Sequence, residues 1–79
     1  MTVRVRLFAG AAEAIGQDEV TLADVTTLGD LVSRLVADFG SGVAPVLDRC
    51  SFLVDGVRAA DAETRVMGTV DVLPPFAGG

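Results

Sequence analysis

Val3, Val5 and Leu7 alternate with Arg4, Arg6 and Phe8, a period of two that predicts a half-buried strand. Ala9 to Ile15 is alanine-rich and closes at Gly16, which predicts a short helical turn. Glu19-Val20-Thr21-Leu22 reads as a second strand, returning against the first. The clearest signal comes next. Leu28, Leu31, Val32, Leu35, Val36 and Phe39 fall on one continuous helical face. Thr27 suits the N-cap, Asp30 stands near the capping-box position, and Gly40 is placed to end the helix. Six such side chains, fully buried, would contribute roughly 9–18 kcal/mol before entropy, so this helix is the expected packing element for the sheet.

Pro45 predicts a loop between Ser41 and Arg49. Asp55-Gly56 then divides Ser51-Phe52-Leu53-Val54 from Val57-Arg58-Ala59-Ala60. Asp-Gly between two such runs predicts a hairpin, because a type I′ turn needs positive φ at both central residues. A short turn over Ala62 to Met67 precedes a last strand, Thr69 to Leu73. The order strand, strand, helix, strand, strand, strand predicts an α+β domain. A mixed four- or five-stranded sheet should pack on one main helix, the economical two-layer solution. The whole chain, 1–79, reads as one domain, with a globular part at 1–73 and an extended, flexible tail at 74–79. The last strand is expected beside the first, parallel to it and central in the sheet.

Composition narrows the chemistry. Net charge is −5, there is no histidine, and the cations Arg4, Arg6, Arg34, Arg49, Arg58 and Arg65 are scattered. That balance argues against nucleic acid, which a basic stripe would recognise, and against anionic membrane surfaces. No apolar run is long enough to span a bilayer and no signal peptide is evident at the start. A single cysteine, Cys50, excludes an internal disulfide framework, so a reducing cytoplasm is the expected location. Cys50 reads as a small apolar residue with a bystander thiol in preference to a persulfide relay. Asp24, Asp30 and Asp38 read as capping and solvated-face residues. No phosphate loop, metal constellation or catalytic triad is present. The chain also has no lysine. An arginine-preferring genome explains that; so does chemistry, because an activated carboxylate near an amine would acylate it, whereas arginine stays protonated.

The last six residues are Pro74-Pro75-Phe76-Ala77-Gly78-Gly79. Two prolines resist both helix and ladder pairing. Fully extended, six residues reach roughly 20 Å, far enough to enter another protein's active site. Gly78 and Gly79 carry no side chain to clash with a narrow tunnel. A terminus frayed without purpose is the alternative. Phe76 on such a tail suits docking into a partner pocket. Phe8 and Leu73 are candidates to share the sheet face away from the helix, either as an apolar partner patch or as core.

With the closing run Val70-Asp71-Val72-Leu73-Pro74-Pro75-Phe76-Ala77-Gly78-Gly79, the chain resembles the small subunits of molybdopterin synthase, MoaD-like sulfur carriers of ubiquitin-like β-grasp fold. Val5-Arg6-Leu7-Phe8-Ala9 fits that family's first strand and turn, and Arg49 to Gly56 is similar to its actinobacterial members. Thiazole-pathway carriers share the fold and the Gly-Gly end but usually lack the paired prolines. One stretch departs: Val66-Met67-Gly68-Thr69-Val70 keeps a turn glycine where many members carry acidic residues.

The resemblance implies a mechanism. An E1-like adenylating enzyme consumes ATP to adenylate the Gly79 carboxylate, and a sulfur donor protein converts it to a thiocarboxylate. The tail enters the synthase large subunit, in a heterotetramer, and sulfur passes to cyclic pyranopterin monophosphate to form the dithiolene. Gly79 is then the reactant, Gly78 and Ala77 give access, and Phe76, Pro75, Pro74, Leu73 and Phe8 meet the partner. The small subunit supplies no acid, base or metal ligand and binds no cofactor. Three other functions stay open. The chain could serve thiazole, cysteine or tRNA thiolation, modify protein lysines, or act as a plain interaction domain.

Overall fold

The computed structural model describes residues 2–75. Strand β1 (Thr2–Leu7) buries alternate residues, as its period of two requires. The chain then turns sharply at Ala9, whose φ of 48° lies in the left-handed region, a conformation costing an L-residue roughly 1–2 kcal/mol. Helix α1 (Ala9–Ile15) ends at Gly16, whose φ of 85° lets its N–H bond to the Ala12 carbonyl. Strand β2 (Glu19–Ala23) returns antiparallel to β1.

Helix α2 (Leu28–Phe39) opens with a full capping box: the Thr27 hydroxyl accepts from the Asp30 N–H and the Asp30 carboxylate accepts from the Thr27 N–H. A segment distant in sequence, residues 60–67, satisfies the two remaining donors of the first turn. Leu28 N–H bonds to the Thr64 carbonyl at 2.9 Å and Gly29 N–H to the Ala62 carbonyl at 2.8 Å. All four N–H groups that a helix start leaves orphaned are therefore paired. Leu28, Leu31 and Leu35 are buried, whereas Val32, Val36 and Phe39 are only half-buried against the core. The expected burial of six side chains is thus reached by three, which contribute roughly 5–9 kcal/mol.

The expected loop at 41–49 is instead helical. A 3₁₀ turn (Ser41–Val43) leads into helix α3 (Ala44–Asp48), with Pro45 in its first turn. Proline is accepted there because the N–H it lacks has no intrahelical partner. Val43 and Leu47 from this segment join the core. The sheet therefore carries three helices, α2 being the longest.

Strands β3 (Ser51–Val54) and β4 (Val57–Ala59) form the predicted hairpin, with φ of 48° at Asp55 and 85° at Gly56. Strand β5 (Gly68–Leu73) completes a five-stranded sheet in the order β2-β1-β5-β3-β4. It lies in the centre, parallel to β1 and antiparallel to β3, as expected. This is the ubiquitin-like β-grasp arrangement. Among the described residues no helix is long and apolar enough to cross a membrane.

Candidate functional site: the tail root and the open sheet face

β5 carries the tail, and its side chains divide by parity. Val70 and Val72 are fully buried beneath the helices, while Thr69, Asp71 and Leu73 point to the other face. Pairing runs to the end of the strand on both sides. Ser51 of β3 stands opposite Leu73, and the Phe8 N–H bonds to the Val72 carbonyl at 3.2 Å. It stops at Pro74, which is half-buried and has no N–H to offer; Pro75 is exposed. Phe76, Ala77, Gly78 and Gly79 lie outside the described residues.

The β1–β5 register sets Leu7 beside Val72, so one further step brings Phe8 beside Leu73. Phe8 is 39% exposed and Leu73 half-buried. Both belong to the helix-free side, and neither joins the buried core. Phe8 follows the last residue of β1, and the left-handed turn at Ala9 comes directly after it, which fixes that ring at the strand's exit.

Sequence reading missed the charged centre of this face. Arg6 makes a bidentate pair with Asp71, its Nε donating to Oδ1 at 2.6 Å and its Nη2 to Oδ2 at 2.9 Å. The same guanidinium lies 5.8 Å from the Phe8 ring centroid, within cation–π range. The Arg6 hydrogen bonds hold the Asp71 carboxyl below the usual carboxylate range, and Asp71 in turn raises the Arg6 guanidinium. A cross-strand row runs Glu19, Arg6, Asp71, Leu53, Arg58, with Arg4 bonding to Glu19 at 3.1 Å. The face thus alternates in charge across the sheet, with Phe8, Leu73 and Leu53 as its apolar members. The signal for it was present in the parity of the two strands, once their parallel register is fixed.

Asp55 braces the opposite end of β5. Its carboxylate accepts from the Thr69 N–H at 2.9 Å and its own N–H bonds to the Thr69 carbonyl at 2.8 Å. Gly68, at φ 74°, starts the strand there, and a Cβ at that position would overlap the Asp55 carboxylate. The turn glycine is therefore required by geometry, although its acidic neighbours are absent.

Cys50 lines a cleft of about 460 Å³ between α2, α3 and the β3–β4 hairpin. Its thiol donates to the Val46 carbonyl at 3.1 Å, and burial pushes its pKa up. A thiol held neutral is a poor nucleophile, consistent with a bystander role. Asp30 caps α2, Asp38 pairs with Arg34 at 3.3 Å, and Asp24 turns the chain at φ 62°. Among the described residues no group of His, Cys, Asp and Glu could hold a metal ion.

The sequence matches the ThiS family over residues 5–79. The chain belongs to the ThiS family. No curated protein sequence matches it. Among solved structures it is similar to SAMP1 from Haloferax volcanii, at 29% identity over 100% of both chains with a TM-score of 0.81. It is also similar to a putative molybdopterin converting factor subunit 1 from Pyrococcus furiosus. That match has 20% identity over 96% of this chain and 99% of the other, with a TM-score of 0.79. Subunit 1 of the molybdopterin-converting factor from Helicobacter pylori, solved in complex with subunit 2, is a third. It has 22% identity over 100% of both chains and a TM-score of 0.68. The last two likenesses speak to the fold. Together these matches support a ubiquitin-like fold of the sulfur-carrier and modifier type.

Proposed function

We propose that this ThiS-family chain is the sulfur-carrier subunit of a molybdopterin synthase. The observation that carries the reading is the doubly paired central strand β5 running directly into Pro74-Pro75 and a Gly-Gly end. A carboxylate is a poor electrophile and must be activated before sulfur can replace oxygen. In this reading an E1-like enzyme transfers AMP from ATP to the Gly79 carboxylate, and a sulfur donor protein displaces AMP to leave a thiocarboxylate. The large subunit holds cyclic pyranopterin monophosphate, receives the tail and supplies the catalytic groups. Gly79 returns to a carboxylate after each turnover. Phe8, Leu73 and the Arg6–Asp71 pair form the face that meets the partner, at the root of the tail. The converting-factor complex from Helicobacter pylori supports a large subunit as that partner.

Intact mass tests the reading, after incubation with an activating enzyme, ATP and a sulfur source. The expected result is a shift equal to one oxygen replaced by sulfur, absent when Gly79 is deleted and sharply reduced in Gly79→Ala. Normal thiocarboxylation and turnover of Gly79→Ala would sink it. The 29% identity to a small archaeal modifier favours a second reading, a modifier joined to lysines of other proteins. Covalent high-mass adducts on a denaturing gel of cell extract, in place of a sulfur shift, would decide for it.

A further inference from the structure

The chain contains no asparagine, and of its eight aspartates only Asp55 is followed by glycine. That pair forms the turn between β3 and β4, where both residues are exposed and both hold positive φ, 48° and 85°. Glycine matters here for a chemical reason as well as a conformational one. A following residue with a side chain crowds its own amide nitrogen, whereas Gly56 leaves that nitrogen open to the carboxyl of the residue before it. The structure supplies an opposing feature. The Asp55 carboxylate reaches away from the turn to β5 and accepts from the Thr69 N–H at 2.9 Å, while the Asp55 N–H bonds to the Thr69 carbonyl at 2.8 Å. Gly68, without a Cβ, leaves the carboxylate room to do so.

We propose that Asp55 is a site of spontaneous isoaspartate formation, and that its hydrogen bond to Thr69 restrains the reaction in the folded chain. The Gly56 amide nitrogen attacks the side-chain carboxyl carbon of Asp55. A C–N bond forms, the C–OH bond of the protonated carboxyl breaks, and water leaves with the amide proton. Water then opens the five-membered imide at one of its two carbonyls. Opening at the side-chain carbonyl restores aspartate. Opening at the main-chain carbonyl routes the backbone through the Asp55 Cβ, which is isoaspartate. One water is lost and one regained, and no other reactant takes part.

Attack requires the carboxyl carbon to turn back over the Gly56 nitrogen, which it does only after releasing Thr69. A hydrogen bond of this kind favours the bound form over the released one by about fivefold. The product loses both halves of the brace on β5. Its turn gains a main-chain carbon, so a two-residue connection no longer matches the Val54–Val57 pairing that it closes. Its free carboxyl sits on the α-carbon, and the Thr69 N–H is left without that acceptor. A change at the hairpin tip is thereby transmitted to the start of the central strand.

The test compares the full chain, Gly68→Ala and Val5→Ala with a synthetic peptide of residues 50–58, all held at body temperature and mildly acidic pH. Gly68→Ala displaces the carboxylate from Thr69, because the new Cβ overlaps it. Val5 is fully buried, so Val5→Ala weakens the core and leaves that hydrogen bond in place. Trypsin frees residues 50–58 from each chain, since Arg49 and Arg58 flank the cuts. Electron-transfer fragmentation distinguishes isoaspartate from aspartate at equal mass and reads the fraction converted at position 55. The peptide is expected to convert fastest, Gly68→Ala about fivefold faster than wild type, and Val5→Ala at the wild-type rate. A wild-type chain as fast as the peptide would overturn the restraint, and this comparison depends on neither variant. Gly68→Ala equal to wild type, or Val5→Ala as fast as Gly68→Ala, would overturn the assignment of the restraint to Thr69. A peptide that forms no isoaspartate would overturn the site itself.

Discussion

Gly68→Ala tests how the strand that bears the tail is started. Gly68 sits at φ 74°, so alanine incurs roughly 1–2 kcal/mol of left-handed strain. The new Cβ also overlaps the Asp55 carboxylate, which must swing away and leave the Thr69 N–H without its 2.9 Å acceptor. A hydrogen bond of this kind contributes about 1 kcal/mol net. The sum is about 2–3 kcal/mol, a large share of the roughly 4–12 kcal/mol expected for a domain of this size. Urea denaturation should show it as a midpoint lowered by about 1–2 M at unchanged slope. Asp55→Gly loses the same hydrogen bond, about 1 kcal/mol, but relieves left-handed strain at its own φ of 48°, so alone it should be close to neutral. That bond cannot be lost twice, so the double variant should be no less stable than Gly68→Ala, a coupling of about 1 kcal/mol. Additive effects, or a Gly68→Ala midpoint equal to wild type, would refute the assigned geometry.

Asp71→Asn should destabilise the domain by about 1 kcal/mol or less at neutral pH, the range of solvent-accessible ion pairs. The Asp71 carboxyl is depressed in the fold, so its contribution is present above the ordinary carboxylate pKa and lost as pH falls through the folded value. The wild-type and Asp71→Asn stability curves should therefore converge on acidification, and a gap that persists in strong acid would count against the pairing. Phe8→Ser should leave urea stability within about 0.5 kcal/mol, since the ring is already partly solvated. Under the proposed function it should weaken capture of a synthase large subunit in calorimetry, and unchanged affinity would count against a role for Phe8 in that contact.

What could be read from the chain alone was mostly local. The alternation in β1, the N-cap and span of α2, and the Asp-Gly turn each declare themselves within a dozen residues, and all were realised. Pro45 misled because the same residue that breaks a helix interior is accepted in a first turn, and nothing local distinguishes the two contexts. The burial of α2 was overestimated because periodicity identifies a face without saying what covers it. Val32 borders the cleft beside α3 and is left half-buried. Phe8 and Leu73 could be assigned to the open face by parity. The Arg6–Asp71 pair could not, because its members are 65 residues apart and meet only through the register of two parallel strands.

That register also bears on why the tail grows from β5 and from no other strand. An edge strand is held on one side only, so a load on its end can unzip it one bond at a time. β5 is bonded to β1 on one side and β3 on the other, with Val70 and Val72 fully buried beneath it. Displacing its last residues would break two ladders and open the core together. Pro74 then ends the pairing at a fixed residue, because it has no donor with which to extend the ladder. Under the proposed carrier function, a terminus that visits several enzymes needs its tail to depart from one defined point, beside one defined surface. In this chain that point is Leu73, and the surface is Phe8 with the clamped Arg6 and Asp71 beside it.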